Sequence, residues 1–238
     1  MAKTAVVTGS AKRLGKAILL ALAENGYNVV VHYNKSKIDA EQTKSSAKKF
    51  GVKAITVKAD LTSERQVKEM FKKIRSAFGK IDVLVNNVGN FSVKPVQKYY
   101  LQEWNYLIGT TAGSTFVCCK HAVPIMNKNG RIINIGDSEA EKITANTRVT
   151  PYKIGKIGVA VLTKALAVEL GGKKITVNMV SPGAMFNTVS FPPEGLKAVP
   201  LRRWAKYADI INVVIFLVKP ESGYITGANI PATGGYGL

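Results

Sequence analysis

Seven short runs rich in Val and Ile recur along the chain, and each of the first six is followed by a stretch with helical patterning. The runs are TAVVT (4–8), YNVVVHY (27–33), AITVKAD (54–60), IDVLVNN (81–87), GRIINIG (130–136), ITVNMVSPG (175–183) and ANIPAT (228–233). The helical stretches between them cover 15–25, 38–50, 63–78, 101–127, 152–170 and 205–218. The runs are apolar with little period-two alternation, as expected of strands buried on both faces, and a helix between successive strands is what a parallel connection requires. The expected fold is α/β: one doubly wound, Rossmann-like parallel sheet of about seven strands with helices on both faces.

No repeat, low-complexity tract or linker divides the 238 residues, so one domain over 1–238 is expected. The one long irregular stretch is PGAMFNTVSFPPEG, and a substrate loop is expected around 184–200, with Met185 facing the substrate. No apolar run approaches the roughly 18 residues of a membrane span, and MAKTAVVTG enters a strand without an export signal. Cys118 and Cys119 are adjacent in an apolar stretch and read as small buried hydrophobes of a reducing, cytoplasmic setting. Thirty-four Lys and Arg against 15 Asp and Glu leave a net charge of +19, a field that favours acidic partners. The lysines are scattered over polar helix faces, without a basic stripe interleaved with aromatics, so no nucleic-acid partner is expected. No metal ligand set is assigned.

TGSAKRLGK (8–16) closes the first strand and opens the first helix. Gly9 allows a tight turn, Gly15 allows close packing, and the helix N-terminus offers backbone N–H groups to a diphosphate. A cofactor with a free ribose 2′-hydroxyl calls for Asp or Glu near the end of the second strand, whereas a 2′-phosphate needs that acid absent and cations nearby. Here VVVHYNKSK places His32, Asn34, Lys35 and Ser36 at that point, and Lys12, Arg13 and Leu14 stand in the glycine turn. NADP(H) is therefore the expected cofactor rather than NAD(H).

TGSAKRLG (8–15), ADL (59–61), NNVG (86–89), YKIGK (152–156), VSPGAM (180–185) and YITG (224–227) occur in the order and spacing of one family. Over nearly its full length the chain resembles the short-chain dehydrogenase/reductases. That resemblance implies Asp60 and Leu61 near the adenine, Asn87, Val88 and Gly89 along the cofactor, and Pro182 and Gly183 beside the nicotinamide. It further implies Tyr152 as proton donor, Lys156 as its partner, and a serine that orients the substrate carbonyl. The residues agree: Tyr152 and Lys156, four apart on a helix, project from one face, and a nearby ammonium lowers a phenol from its ordinary pKa of about 10. Such an acid would protonate a C=O or C=N as hydride arrives.

Three departures from the family pattern stand out. Arg13 replaces the first glycine of the last GxG, Thr111 stands where an asparagine usually supports a proton relay, and the segment before Tyr152 is about two residues longer than usual. Anchoring on the strand RIINI puts Asp137 in the serine slot, whereas spacing to the tyrosine favours Ser138. Within the family, pteridine reductases resemble the chain in the KRLG turn, the HY..S strand end and an aspartate in the serine slot. In that case Arg13 would help bind a pterin, Phe91 would stack on it, and Asp137 would work with Tyr152. The 3-oxoacyl carrier-protein reductases are the broader neighbour, and the basic surface suits an acidic carrier protein. The first expectation is an NADPH-dependent carbonyl reductase of 3-oxoacyl thioester type with Ser138, Tyr152 and Lys156 catalytic. Pteridine reduction is second, and a non-catalytic NADP(H)-binding sensor is the alternative of another class. The apolar residues Val159, Val161, Leu162, Leu166 and Val168, with the family's habits, imply a homo-oligomer, dimer or tetramer.

Overall fold

The structure is a computed structural model that describes residues 2–143, 145, 148–185 and 193–237. The strands are β1 (Thr4–Val7), β2 (Asn28–Tyr33), β3 (Ala54–Lys58), β4 (Ile81–Asn86), β5 (Met126–Ile135), β6 (Thr176–Pro182) and β7 (Asn229–Ala232). They form a single sheet in the order β3-β2-β1-β4-β5-β6-β7. Every adjacent pair is parallel. The expected seven-stranded doubly wound sheet is the observed one.

Burial on both faces explains why the strand runs lack alternation. Ala5 and Val7 of β1, Val29 and Val31 of β2, and Val83 and Val85 of β4 enter one core layer. Their neighbours Val6, Val30 and Leu84 enter the other. Helix α1 (Arg13–Glu24) and α7 (Tyr207–Val218) cover the first layer with Ile18, Leu19, Leu22, Ile210, Val214 and Leu217. Helix α3 (Glu64–Phe78) and α5 (Ser114–Ala122) cover the second with Val67, Met70, Phe71, Ile74, Cys118 and Cys119. Each large side chain so buried contributes roughly 1.5–3 kcal/mol relative to exposure. The remaining helices are α2 (Lys37–Lys48), α4 (Leu101–Ile108) and α6 (Thr150–Leu170).

The helix expected over 101–127 is interrupted and shorter. Gly109–Gly113 form a π-helical turn between α4 and α5, and α5 ends at Ala122. Pro124 lies in the 3-10 turn Val123–Ile125 that follows; a proline lacks an N–H and crowds the preceding turn, so the helix cannot continue through it. The chain then enters β5 at Met126, which pairs with Ile81 before a register irregularity restores Arg131 opposite Val83.

The strand order reverses between β1 and β4, and the crevice beyond their carboxyl ends is where an open α/β sheet binds ligands. Part of the substrate loop expected at 184–200, residues 186–192, lies outside the described residues. Among those described, no helix is long and apolar enough to cross a membrane.

Candidate active site

The glycine turn is as tight as its sequence suggests. Gly9 has φ of +62°, and a Cβ there would fall 2.8 Å from Val88 Cγ2. At Gly15 a Cβ would lie 2.4 Å from the carbonyl oxygen of Gly9, so only glycine fits. Asn87 locks the turn to β4: its Nδ2 donates to the carbonyl of Thr8 at 3.0 Å, and its backbone N–H donates to Thr8 Oγ1 at 2.9 Å. Helix α1 has neither a side-chain cap nor an acid in its first turn, which leaves its N-terminal N–H groups available to an anion. Arg13 takes φ of +52°, in the left-handed region that favours glycine, and its side chain is exposed. Leu14 sends its side chain into the core, so its backbone alone is available to a cofactor.

At the end of β2, His32 departs from its expected role. It is 2% exposed; its Nδ1 accepts from the Gly9 N–H at 2.9 Å, and Nε2 stands 3.1 Å from the carbonyl of Ala59. Burial pushes it down to about 4, so the ring is neutral, with its proton on the Nε2 that faces the carbonyl. With both ring nitrogens engaged, His32 is a strut beneath the glycine turn rather than a phosphate ligand. Lys12, expected at the cofactor, forms an exposed ion pair with Asp39 at 3.0 Å. Asn34, Lys35 and Ser36 stand at the carboxyl end of β2 with no acid among them, and Ser36 precedes α2. Asp60 accepts from the N–H and hydroxyl of Thr62 at 2.9 and 2.7 Å, which holds its carboxyl below the usual range; Asn34 and Lys35 add to this. Leu61 is a core residue.

Tyr152 and Lys156 meet as the helical spacing requires. Lys156 Nζ lies 5.6 Å from the centre of the Tyr152 ring and donates to the carbonyl of Ile135, the last residue of β5, at 2.6 Å. Phe91 packs against Tyr152 from the loop after β4, with ring centroids 5.8 Å apart. A Cβ on Gly89 would meet Lys156 Nζ at 3.4 Å and Thr111 Oγ1 at 3.7 Å, placing all three in one corner. Thr111 sits in the π-helical turn and donates its hydroxyl to the carbonyl of Leu107 at 2.8 Å, so its proton is committed to its own helix. Desolvation pushes the Lys156 ammonium down to about 8, opposed by Asp137. The same burial, followed by the charge of Asp137, raises Tyr152 above its ordinary value. This reverses the direction expected from the sequence: its surroundings favour the protonated phenol.

Asp137 and Ser138 follow Gly136 directly after β5. Asp137 is the member of the pair whose charge acts on both Tyr152 and Lys156, in keeping with the strand-based alignment. Its carboxylate lies 3.6 Å from Nζ of Lys153, which also reaches Glu139 Oε2 at 3.2 Å and the Glu139 carbonyl at 2.8 Å. Pro182 ends β6, and Gly183 presses on β7 so closely that a Cβ would lie 2.8 Å from Thr233 Cα. Met185 pairs with Ala205.

Three site residues escaped the sequence reading. Thr8 is legible once TG is read as part of the turn, but Lys153 and Glu139 carry no motif. Their one signal is a lysine beside Tyr152 preceded by the acid-rich DSEAE.

A glycine turn with an open helix N-terminus at the switch point of a parallel sheet, together with half-buried Tyr152 beside buried Lys156, defines a dinucleotide-dependent oxidoreductase. A family model described as Enoyl-(Acyl carrier protein) reductase matches residues 9–237. The 3-oxoacyl-[acyl-carrier-protein] reductase FabG of Staphylococcus epidermidis is 38% identical over 243 residues, covering 99% of this chain and 99% of that protein. A blue fluorescent protein from a metagenomic library, solved in complex with NADPH, superposes with a TM-score of 0.93 at 31% identity, covering 99% of this chain and 98% of that one. A short-chain dehydrogenase/reductase from Serratia marcescens gives 0.94 at 32% identity, with 99% and 98% covered. The chain belongs to the short-chain dehydrogenase/reductase family.

Proposed function

We propose that this protein is an NADPH-dependent reductase that converts a carbonyl to an alcohol, with a 3-oxoacyl thioester as its substrate type and Tyr152 as proton donor. The observation that carries this is the pairing of half-buried Tyr152 with buried Lys156, held against the end of β5 and beside the loop after β4. The glycine turn, the uncapped α1 and the acid-free end of β2 fit a cofactor with a 2′-phosphate. NADPH in the related metagenomic structure and 38% identity to a 3-oxoacyl reductase support the same reading.

NADPH, when bound, would supply the hydride, and the remaining chemistry belongs to the chain. Asn87, Val88 and Gly89, in the loop after β4, would hold the cofactor, with Asp60 and Leu61 towards its adenine and Pro182 and Gly183, at the end of β6, towards its nicotinamide. Ser138 orients the substrate oxygen, Tyr152 gives it a proton, and the Lys156 ammonium stabilises the phenolate left behind. Met185 and Phe91 border the substrate. The whole chain acts as one domain in the cytoplasm. Val161 and Val168, the latter 84% exposed on α6, support a homo-oligomer, whereas Val159 turns into the fold. A net charge of +19 supports an acidic carrier as the bearer of the thioester.

A second reading, pteridine reduction, is favoured by Asp137 acting on Tyr152 and by the Phe91 ring beside it. NADPH oxidation with an acetoacetyl thioester, a dihydropterin and a quinone separates the two. Turnover led by the thioester supports the first reading and turnover led by the dihydropterin the second; NADPH binding without any turnover would leave the sensor class standing.

A further inference from the structure

We propose that Lys153 is a positioning residue of the reaction: its contacts to Asp137 and Glu139 fix the Asp137 carboxylate and offset its charge at the Tyr152–Lys156 pair. This rests on Tyr152 being the proton donor. Lys153 follows Tyr152 on α6, about 100° around the helix, so it points away from the face that Tyr152 shares with Lys156. It is 5% exposed, and a buried ammonium is costly unless paired. Its partners are Glu139 Oε2 at 3.2 Å, the Glu139 carbonyl at 2.8 Å and Asp137 Oδ2 at 3.6 Å, all from the lengthened loop between β5 and α6.

The charges around the proton donor are thereby balanced. Asp137 and Glu139 bring two negative charges, and Lys153 and Lys156 bring two positive ones. Asp137 acts on Tyr152 and Lys156, and at Tyr236, from the C-terminal segment, burial and then the charges of Glu139 and Asp137 oppose ionisation. When Tyr152 gives up its proton, the cluster moves from neutral to a single negative charge. Without Lys153 it would start negative and become doubly so, and proton delivery would slow. The Thr111 hydroxyl, committed to Leu107, offers no substitute donor in that corner.

The test is the pH profile of kcat for wild type, Lys153→Met, Lys153→Arg, Glu139→Gln, Asp137→Asn and the Asp137→Asn/Lys153→Met pair, using a carbonyl substrate that the wild type reduces. A parallel 15N NMR titration follows Lys156 Nζ in the same proteins. Lys153→Met is expected to lower the plateau about tenfold, move the alkaline limb and the Lys156 titration to higher pH, and leave NADPH affinity unchanged. Lys153→Arg keeps most of the rate. In the Asp137→Asn background the loss from Lys153→Met shrinks to less than threefold, and Glu139→Gln moves the limb to lower pH. An equal loss in both backgrounds with unmoved titrations would make Lys153 a structural residue only and overturn the proposal. If Lys153→Met fails to fold, the opposite shift in Glu139→Gln decides. The Lys156 titration needs no turnover, so an unmoved titration refutes this proposal even where a wild type inactive on every substrate refutes the reductase reading.

Discussion

Lys156 Nζ stands 5.6 Å from the centre of the Tyr152 ring while its hydrogen bond goes to the carbonyl of Ile135 at 2.6 Å. The lysine is thus fixed by the sheet and presented to the tyrosine. Burial lowers it to about 8, so the ammonium that supports Tyr152 is present below that pH and lost above it. The reductive kcat/KM is expected to hold between pH 6 and 7 and to fall about tenfold per pH unit well above 8. A profile flat to pH 10 would remove Lys156 from the proton step.

His32 makes stability depend on acid. Its folded value of about 4 lies below the 6.5 of a free imidazole, so the unfolded chain binds the extra proton first. The neutral ring's contribution is complete above pH 6.5 and is lost as pH falls towards 4, on the order of 3 kcal/mol. Denaturant unfolding between pH 7 and 4 should show this loss, and His32→Leu should flatten that part of the curve while lowering stability at pH 7, where the Gly9 N–H loses its acceptor.

Arg13 is held at φ of +52°, a conformation that costs a non-glycine residue about 1–2 kcal/mol. Arg13→Gly is therefore expected to leave stability unchanged or slightly raised. If the side chain serves the NADPH phosphates, the same change weakens NADPH binding about tenfold and reduces its salt dependence. Fluorescence titration at two ionic strengths measures both effects, and unaltered NADPH affinity would confine Arg13 to the substrate side or the surface.

Ser138→Ala and Asp137→Asn divide the two substrate readings. For a thioester ketone, Ser138→Ala should cost on the order of tenfold to a hundredfold in kcat and Asp137→Asn much less; for a pterin the order reverses. Circular dichroism establishes that each variant is folded before its rate is read.

The sheet was legible because parallel strands buried on both faces must be apolar throughout, and Gly9, Gly15, Tyr152 and Lys156 because their spacing has a direct geometric consequence. His32 was misread since a strand-end histidine looks the same whether it faces a phosphate or a buried N–H; the ring's two partners, Gly9 and Ala59, come from different loops. The downward shift expected for Tyr152 failed because burial, which a sequence does not display, and then the charge of Asp137 both favour the neutral phenol. Lys153 escaped notice because its partners are fourteen and sixteen positions upstream, Glu139 and Asp137, across a loop whose path no pattern encodes.

Tyr152→Phe tests the central claim most directly. The ring and its packing on Phe91 are kept and only the hydroxyl is removed. NADPH affinity, read by fluorescence titration, should change less than twofold, while kcat for the best carbonyl substrate falls at least about a hundredfold. Undiminished turnover in the folded variant would contradict the assignment of Tyr152 as the proton donor.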